Sequence, residues 1–208
     1  MNSSLKTYLK FALSGELPGY RAHLKMLPPG RRLVRDNQDA SAVVQSSVLL
    51  LVYPEGEQLY ICLTKRPTTM KNHPGQISFP GGKVEDDDIS AEAAALREAQ
   101  EEVGVDPSSF EVLGKLSDLY VEVSKFSIQP FLAWADKKPD FEVNESEVEA
   151  LILLPLTDFV RLEQVSEVEL ETITGMLRVK CYPYRNERIW GATAMILTEL
   201  IELLRNQV

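Results

Sequence analysis

Glu98, Glu101 and Glu102 stand at positions two, five and six of a segment of helix formers, REAQEE, that closes on Val103 and Gly104. At 3.6 residues per turn, side chains three and four apart stack over one another, so the three carboxylates share one face. Like charges at that spacing oppose an open helix by a few tenths of a kcal/mol each, roughly, and here they also sit near the negative end of the macrodipole. A bound divalent cation removes both penalties. Upstream, Gly81 and Gly82 follow a strand-like segment, where they allow a tight turn and offer backbone carbonyls to a hard cation. An acidic helical run also reads as an ordinary solvated face. The neighbouring glycines favour the metal reading, and an oxygen-only donor set suits Mg²⁺ or Mn²⁺ rather than zinc.

The segment FPGGKVEDDDISAEAAALREAQEEVGV, Phe79 to Val105, resembles the signature of the Nudix hydrolases, GX5EX7REUXEEXGU with U apolar. Arg97, Glu98, Ala99, Glu101, Glu102, Gly104 and Val105 match its second half. In the first half Asp88 stands where Glu is usual, and eight residues rather than seven separate it from Arg97. Further upstream, LTKRPTTMKNHPGQISFPGG, Leu63 to Gly82, is similar to the element that marks the coenzyme A pyrophosphatase branch, with Pro67 in place of Ser or Ala and Lys71 in place of Arg. Lys71 keeps the charge but not the bidentate phosphate geometry.

The resemblance implies a Nudix-like α/β/α sandwich with a mixed β-sheet. It also implies metal-dependent hydrolysis of a pyrophosphate bond in coenzyme A or its derivatives, releasing 3′,5′-ADP and 4′-phosphopantetheine or its acyl form. Glu98, Glu101, Glu102 and the Gly82 carbonyl would hold Mg²⁺ or Mn²⁺. Glu98 is the candidate base and Glu101 and Glu102 the candidate ligands, while Arg97 would pair with a carboxylate and orient the Glu side chains. Arg66, Lys71 and His73 fall in the substrate element, and Arg31 and Arg35 add nearby positive charge. A later acid, Glu145 or Glu147, stands in a run that otherwise reads as solvated. Two further readings stay open: the same chemistry on ADP-ribose, NADH, a sugar nucleotide or a nucleoside triphosphate, and a non-catalytic binding module. The complete carboxylate face argues against the module.

The formal charge of −9 over 208 residues opposes attraction to nucleic acid and to anionic membranes, so a small anionic substrate met by local cations is expected. Arg31, Arg32, Arg35, Lys65, Arg66 and Lys71 supply those cations or a solvated surface. The N-terminus lacks a signal-peptide pattern and no apolar run reaches 18 residues, which predicts a cytoplasmic protein. Cys62 and Cys181 lie in apolar strand-like alternation without a CxxC partner and read as buried thiols.

At 208 residues with 44% hydrophobic content and no composition break, the chain is expected to bury one core as one domain. Residues 1–37 read as a helical arm of the domain formed by 38–208, with helices over Leu5 to Leu13 and Gly19 to Met26, and Pro28, Pro29 and Gly30 as breakers. The arm could cover the sheet, form a homodimer, or close over substrate. SAVVQSSVLLLVY and LYICLT read as a hairpin across PEGEQ, with more strands near 77–79, 111–117, 126–135 and 151–156. Pro155 ends the last of these. TITGMLRVKCYPY reads as a strand pair or a long bent strand. Ser90 caps the Glu-bearing helix, Gly104 ends it, and Ala94, Ala95, Ala99 and Val103 face the sheet. The closing helix, from about Gly191 to Arg205, turns Ala194, Leu197, Ile201 and Leu204 inward, with Trp190 anchoring it in the core.

Overall fold

β-Branched and apolar residues from Val48 to Tyr53 leave no polar stripe, which is the pattern of a strand covered on both faces. In the computed structural model, which describes residues 2–33, 43–69, 74–162, 165–172, 175–205 and 207, this segment is the central strand. The elements in chain order are α1 (Asn2–Leu13), α2 (Gly19–Leu24), β1 (Val44–Glu55), β2 (Gln58–Lys65), β3 (Ile77–Ser78), β4 (Gly81–Lys83) and α3 (Ala91–Val103). They continue with β5 (Glu111–Lys115), β6 (Leu119–Val121), β7 (Phe126–Trp134), β8 (Ala150–Pro155) and α4 (Leu156–Leu162). The last are β9 (Ser166–Thr172), β10 (Gly175–Tyr184), β11 (Glu187–Trp190) and α5 (Gly191–Leu204).

β1 runs parallel to β7, with Val44 opposite Phe126 and Val52 opposite Trp134. On its other edge it pairs antiparallel with β2 and with β4. β3 and β8 flank β2, and β5 and β6 flank β7, so the sheet is mixed. Successive side chains of β1 point to opposite faces. Leu49, Leu51 and Tyr53 pack against Ala95, Ala99 and Val103 of α3. Leu50 and Val52 pack in a second cluster with Leu197, Ile201 and Leu204 of α5. Helices cover both faces, giving the α/β/α sandwich expected from the sequence.

The arm lies on the α5 face. Leu5 and Leu9 of α1, and Met26 after α2, belong to the same cluster as α5. Buried His23 bonds through Nε2 to Oε2 of Glu199 at 2.9 Å, and the other oxygen of that carboxylate accepts the backbone N–H groups of Gly19 and Ser117, each at 3.2 Å. A buried carboxylate is tolerable only when its lone pairs are met in this way. Of the three roles the sequence left open for the arm, the structure displays the covering one.

Several elements differ from the sequence reading. The strands after residue 165 form a separate antiparallel sheet, β11-β10-β9, rather than extending a single one. α4 and β11 were not anticipated, being too short to show a period of their own. Pro155 is the last residue of β8, which ends there as expected, and the chain passes directly into α4 at Leu156. The hairpin turn shrinks to Gly56 and Glu57, since Pro54 and Glu55 still pair with Leu59 and Gln58. Trp190 is half-buried at the N-cap of α5, not in the core. Cys62 and Cys181 are buried free thiols.

α3 begins at Ser90, whose Oγ accepts the Ala93 N–H at 3.0 Å, and ends at Gly104 in the left-handed conformation at φ 69°. A Cβ at Gly104 would lie 2.5 Å from the carbonyl oxygen of Glu142. Gly104→Ala therefore combines backbone strain with a backbone clash and should lower stability by about 1–3 kcal/mol. Urea denaturation checks this, and a change under about 0.5 kcal/mol would show that the chain relaxes around the methyl group.

Candidate active site

Small side chains at Ala95 and Ala99 let α3 approach the sheet closely enough for Glu98 and Glu102, one turn apart, to lie over β4. The fit leaves no space at the glycines. A Cβ on Gly82 would stand 2.4 Å from Cδ and Oε1 of Glu98 and 2.6 Å from its Oε2, and a Cβ on Gly81, at φ 153°, would stand 2.3 Å from the Ser47 carbonyl oxygen. Gly81 instead turns its N–H onto Oε2 of Glu102 at 3.3 Å. Gly82 is the partner of Ser47 between the bonds Leu49 N–H to Pro80 and Val84 N–H to Gln45. That register places its carbonyl in the ladder, leaving its second lone pair for any cation.

The three helix carboxylates do not share one environment. Glu102 is 4% exposed, the Glu98 side chain 15% and that of Glu101 51%. Burial pushes the Glu102 carboxyl up to about 8; the Gly81 N–H and the Arg66 charge oppose that rise, while the negative charges of Glu98 and Glu147 add to it. Burial also raises Glu98, against the pull of Arg97. The inner pair is therefore a desolvated concentration of negative charge, and Glu101 forms its rim.

Arg97 ties this cluster to the loop before the helix. Its Nε and Nη2 donate to the two oxygens of Asp88 at 3.0 and 2.9 Å. Nη1 donates to Oε1 of Glu98 at 2.9 Å and Oε2 of Glu101 at 3.1 Å, and Nη2 also reaches the Lys83 carbonyl at 3.2 Å. Asp88 in turn accepts the Glu85 N–H at 2.8 Å, closing a turn over residues 85–88 that orients its carboxylate. The shorter acid thus still meets Arg97 with both oxygens, the strongest geometry available to a guanidinium and a carboxylate.

A second loop docks on the far end of α3, where Glu142 donates its N–H to the Val103 carbonyl at 2.9 Å and Asn144 to the Glu102 carbonyl at 3.0 Å. The Asn144 carbonyl then accepts the N–H groups of Glu147 and Val148. Glu147, not Glu145, is thereby the later acid whose charge acts on both Glu98 and Glu102. Sequence had left the two equal, because nothing in NESEVEA shows which carboxylate faces α3.

Among the cations expected near substrate, Arg66 at the end of β2 is half-buried and its charge acts on Glu102. Arg31 is exposed beyond α2. Arg35, Lys71 and His73 lie outside the described residues. Lys65, counted from sequence as spare positive charge, is held by Glu149 at 3.0 Å and Glu187 at 2.9 Å and is neutralised where it stands.

Among the described residues no three His, Cys, Asp or Glu side chains already form a closed ligand set. Instead Arg97 supplies the positive charge between Glu98 and Glu101. The residues nevertheless fit a hard divalent cation: the donors are all oxygen, Glu102 is buried beside other carboxylates, and the Gly82 backbone abuts the Glu98 carboxylate.

Hydrogen bonds from Arg97, and then from Glu85, hold the Asp88 carboxyl down to about 2 from an ordinary 3.8. A depressed carboxyl contributes stability that is present above its unfolded value and lost as pH falls through its folded value. The difference in urea midpoint between the protein and Asp88→Asn should be constant from pH 7 to 5 and shrink from about pH 4 toward pH 2. A difference that stays level across that window would sever Asp88 from Arg97.

Comparison with known proteins agrees with this geometry. The NUDIX domain profile matches residues 43–173. An uncharacterized Nudix hydrolase NudL of Cronobacter sakazakii is 35% identical over 173 residues, covering 81% of this chain and 88% of its own. Its Escherichia coli namesake is 36% identical over 140 residues, covering 67% and 72%. Among solved structures, a Nudix hydrolase from Alicyclobacillus acidocaldarius superposes with a TM-score of 0.55 at 15% identity, covering 81% of this chain and 98% of that one. Another from M. smegmatis also gives 0.55, at 16% identity, covering 79% and 88%. With a carboxylate helix seated on a glycine strand, a matching domain profile and relatives aligned over most of their length, the chain belongs to the Nudix hydrolase family and is a pyrophosphohydrolase.

Proposed function

We propose that this Nudix hydrolase acts in the cytoplasm on coenzyme A or its derivatives, cutting the pyrophosphate bond to give 3′,5′-ADP and 4′-phosphopantetheine or the corresponding acyl form. The observation that carries the reading is Arg66: this half-buried cation of the substrate-like element stands close enough to Glu102 for their charges to act on one another. A diphosphate bound there meets positive charge from β2 on one side and the carboxylate helix on the other.

Glu98, Glu101 and Glu102, with the Gly82 carbonyl, are the residues that would hold Mg²⁺ or Mn²⁺. When bound, such an ion neutralises charge on the diphosphate oxygens and makes water a better nucleophile near neutral pH. Glu98 accepts the proton of the attacking water, a role served by its partial burial and by the Arg97 bond that fixes its Oε1. Glu102, buried and oriented by the Gly81 N–H, holds charge without moving. Arg97 positions Glu98 and Glu101 and leaves the diphosphate to Arg66, with Lys71, His73, Arg31 and Arg35 as the further substrate-binding candidates that the sequence offers.

Coenzyme A and ADP-ribose should be offered in parallel at equal Mg²⁺, with product masses locating the bond broken. Coenzyme A should yield 3′,5′-ADP and be preferred; faster turnover of ADP-ribose contradicts the assignment. Glu102→Gln should lower kcat by roughly a hundredfold or more while circular dichroism stays unchanged. Gly82→Ala should also abolish most turnover, because its methyl group displaces the Glu98 carboxylate, and near-normal activity in that variant would remove the close approach from the mechanism.

A further inference from the structure

Ser47 is fully buried in β1, and its Oγ has no hydrogen-bond partner among the described residues. A hydroxyl removed from water and left unpaired is unfavourable, so each such group in a native fold calls for an explanation. Alternation along β1 puts Ser47 on the α3 face, because Leu49, Leu51 and Tyr53, two, four and six residues on, all pack against that helix. Ser47 is also the cross-strand partner of Gly82. Such partners carry their Cβ positions about 5 Å apart on the same face. The point where Gly82 lacks a Cβ is itself 2.4 to 2.6 Å from the Glu98 carboxylate. The unpaired hydroxyl therefore lies at the floor of the carboxylate cluster, next to Glu98. Oε1 of Glu98 accepts from Arg97, while its Oε2 receives no hydrogen bond among the described residues.

We propose that Ser47 is a positioning residue: its Oγ–H donates to a buried water that in turn donates to Oε2 of Glu98, fixing that carboxylate for cation binding. A polar pair too far apart for a direct bond is commonly joined by one water, and outer partners of this kind keep ligating carboxylates in place. Arg97 holds one oxygen of Glu98 from the solvent side and Ser47 holds the other from the sheet side. The inference rests on the metal-dependent reading above and names the group beneath the site that tunes it.

The test is direct titration of the full-length protein with Mn²⁺ alone, read by electron paramagnetic resonance, alongside kinetics and urea denaturation. Ser47→Ala should raise the Mn²⁺ Kd about tenfold and lower kcat by a similar factor with KM within twofold. Its denaturation midpoint should not fall, since the hydroxyl lost has no protein partner. Kd and kcat within twofold of the parent protein would overturn the proposal, as would a lowered midpoint with Mn²⁺ affinity intact. If Ser47→Ala fails to fold, Ser47→Cys, which keeps the volume but is a poor donor, carries the same expectation, and a Ser47→Cys protein matching the parent overturns it. A parent protein that neither binds Mn²⁺ nor cleaves any diphosphate would defeat the functional reading itself. One that does both beside an unaffected variant defeats only the role of Ser47.

Discussion

The close seat of α3 on the glycine strand β4 is the contact from which the rest of the site follows. Two carboxylates brought against a sheet lose water, and that loss is tolerable only where backbone N–H groups, cations and close packing replace it. Gly81 supplies the N–H, Gly82 supplies the space, and Ala95 and Ala99 set the distance. Any side chain at Gly82 would occupy the volume the Glu98 carboxylate fills. The apolar contacts of α3 thus do more than stabilise a helix, since they set the pressure that raises Glu102 and makes the cluster hungry for positive charge.

That charge is arranged in layers. Arg97 holds the loop acid Asp88, the inner Glu98 and the rim Glu101 with one planar group, which a lysine could not do. Arg66 approaches from β2, and Glu147 arrives on a loop tied to the last carbonyls of α3. The elements that carry these groups are all anchored to the central strand or to the helix itself, so their relative positions depend on one packed unit. The arm contributes from the opposite face, where the buried Glu199 carboxylate joins α2, the segment after β5 and α5.

Much of this was legible in the chain. The period of the alanines and of Val103 fixed which side of α3 faces the sheet, and Ser90 and Gly104 fixed its ends. The departure at Asp88 was visible but its consequence was not. Whether an extra residue breaks a pairing depends on the path of the loop, and only the folded loop shows that Asp88 still meets Arg97 with both oxygens. The separate β9 to β11 sheet escaped for a similar reason: alternation identifies a strand but carries no record of which strand lies beside it.

The amino-acid sequence by itself determined the helix, its caps, the trio of acids and the family to which they belong, because these depend on spacing within a few residues. Tertiary structure decided that Glu102 is buried and Glu101 is not, that Glu147 rather than Glu145 acts on the cluster, that Lys65 is spent on Glu149 and Glu187, and that Ser47 lies beneath Glu98. Each of those outcomes turns on desolvation or on a charge from a distant part of the chain, and neither quantity exists until the elements pack.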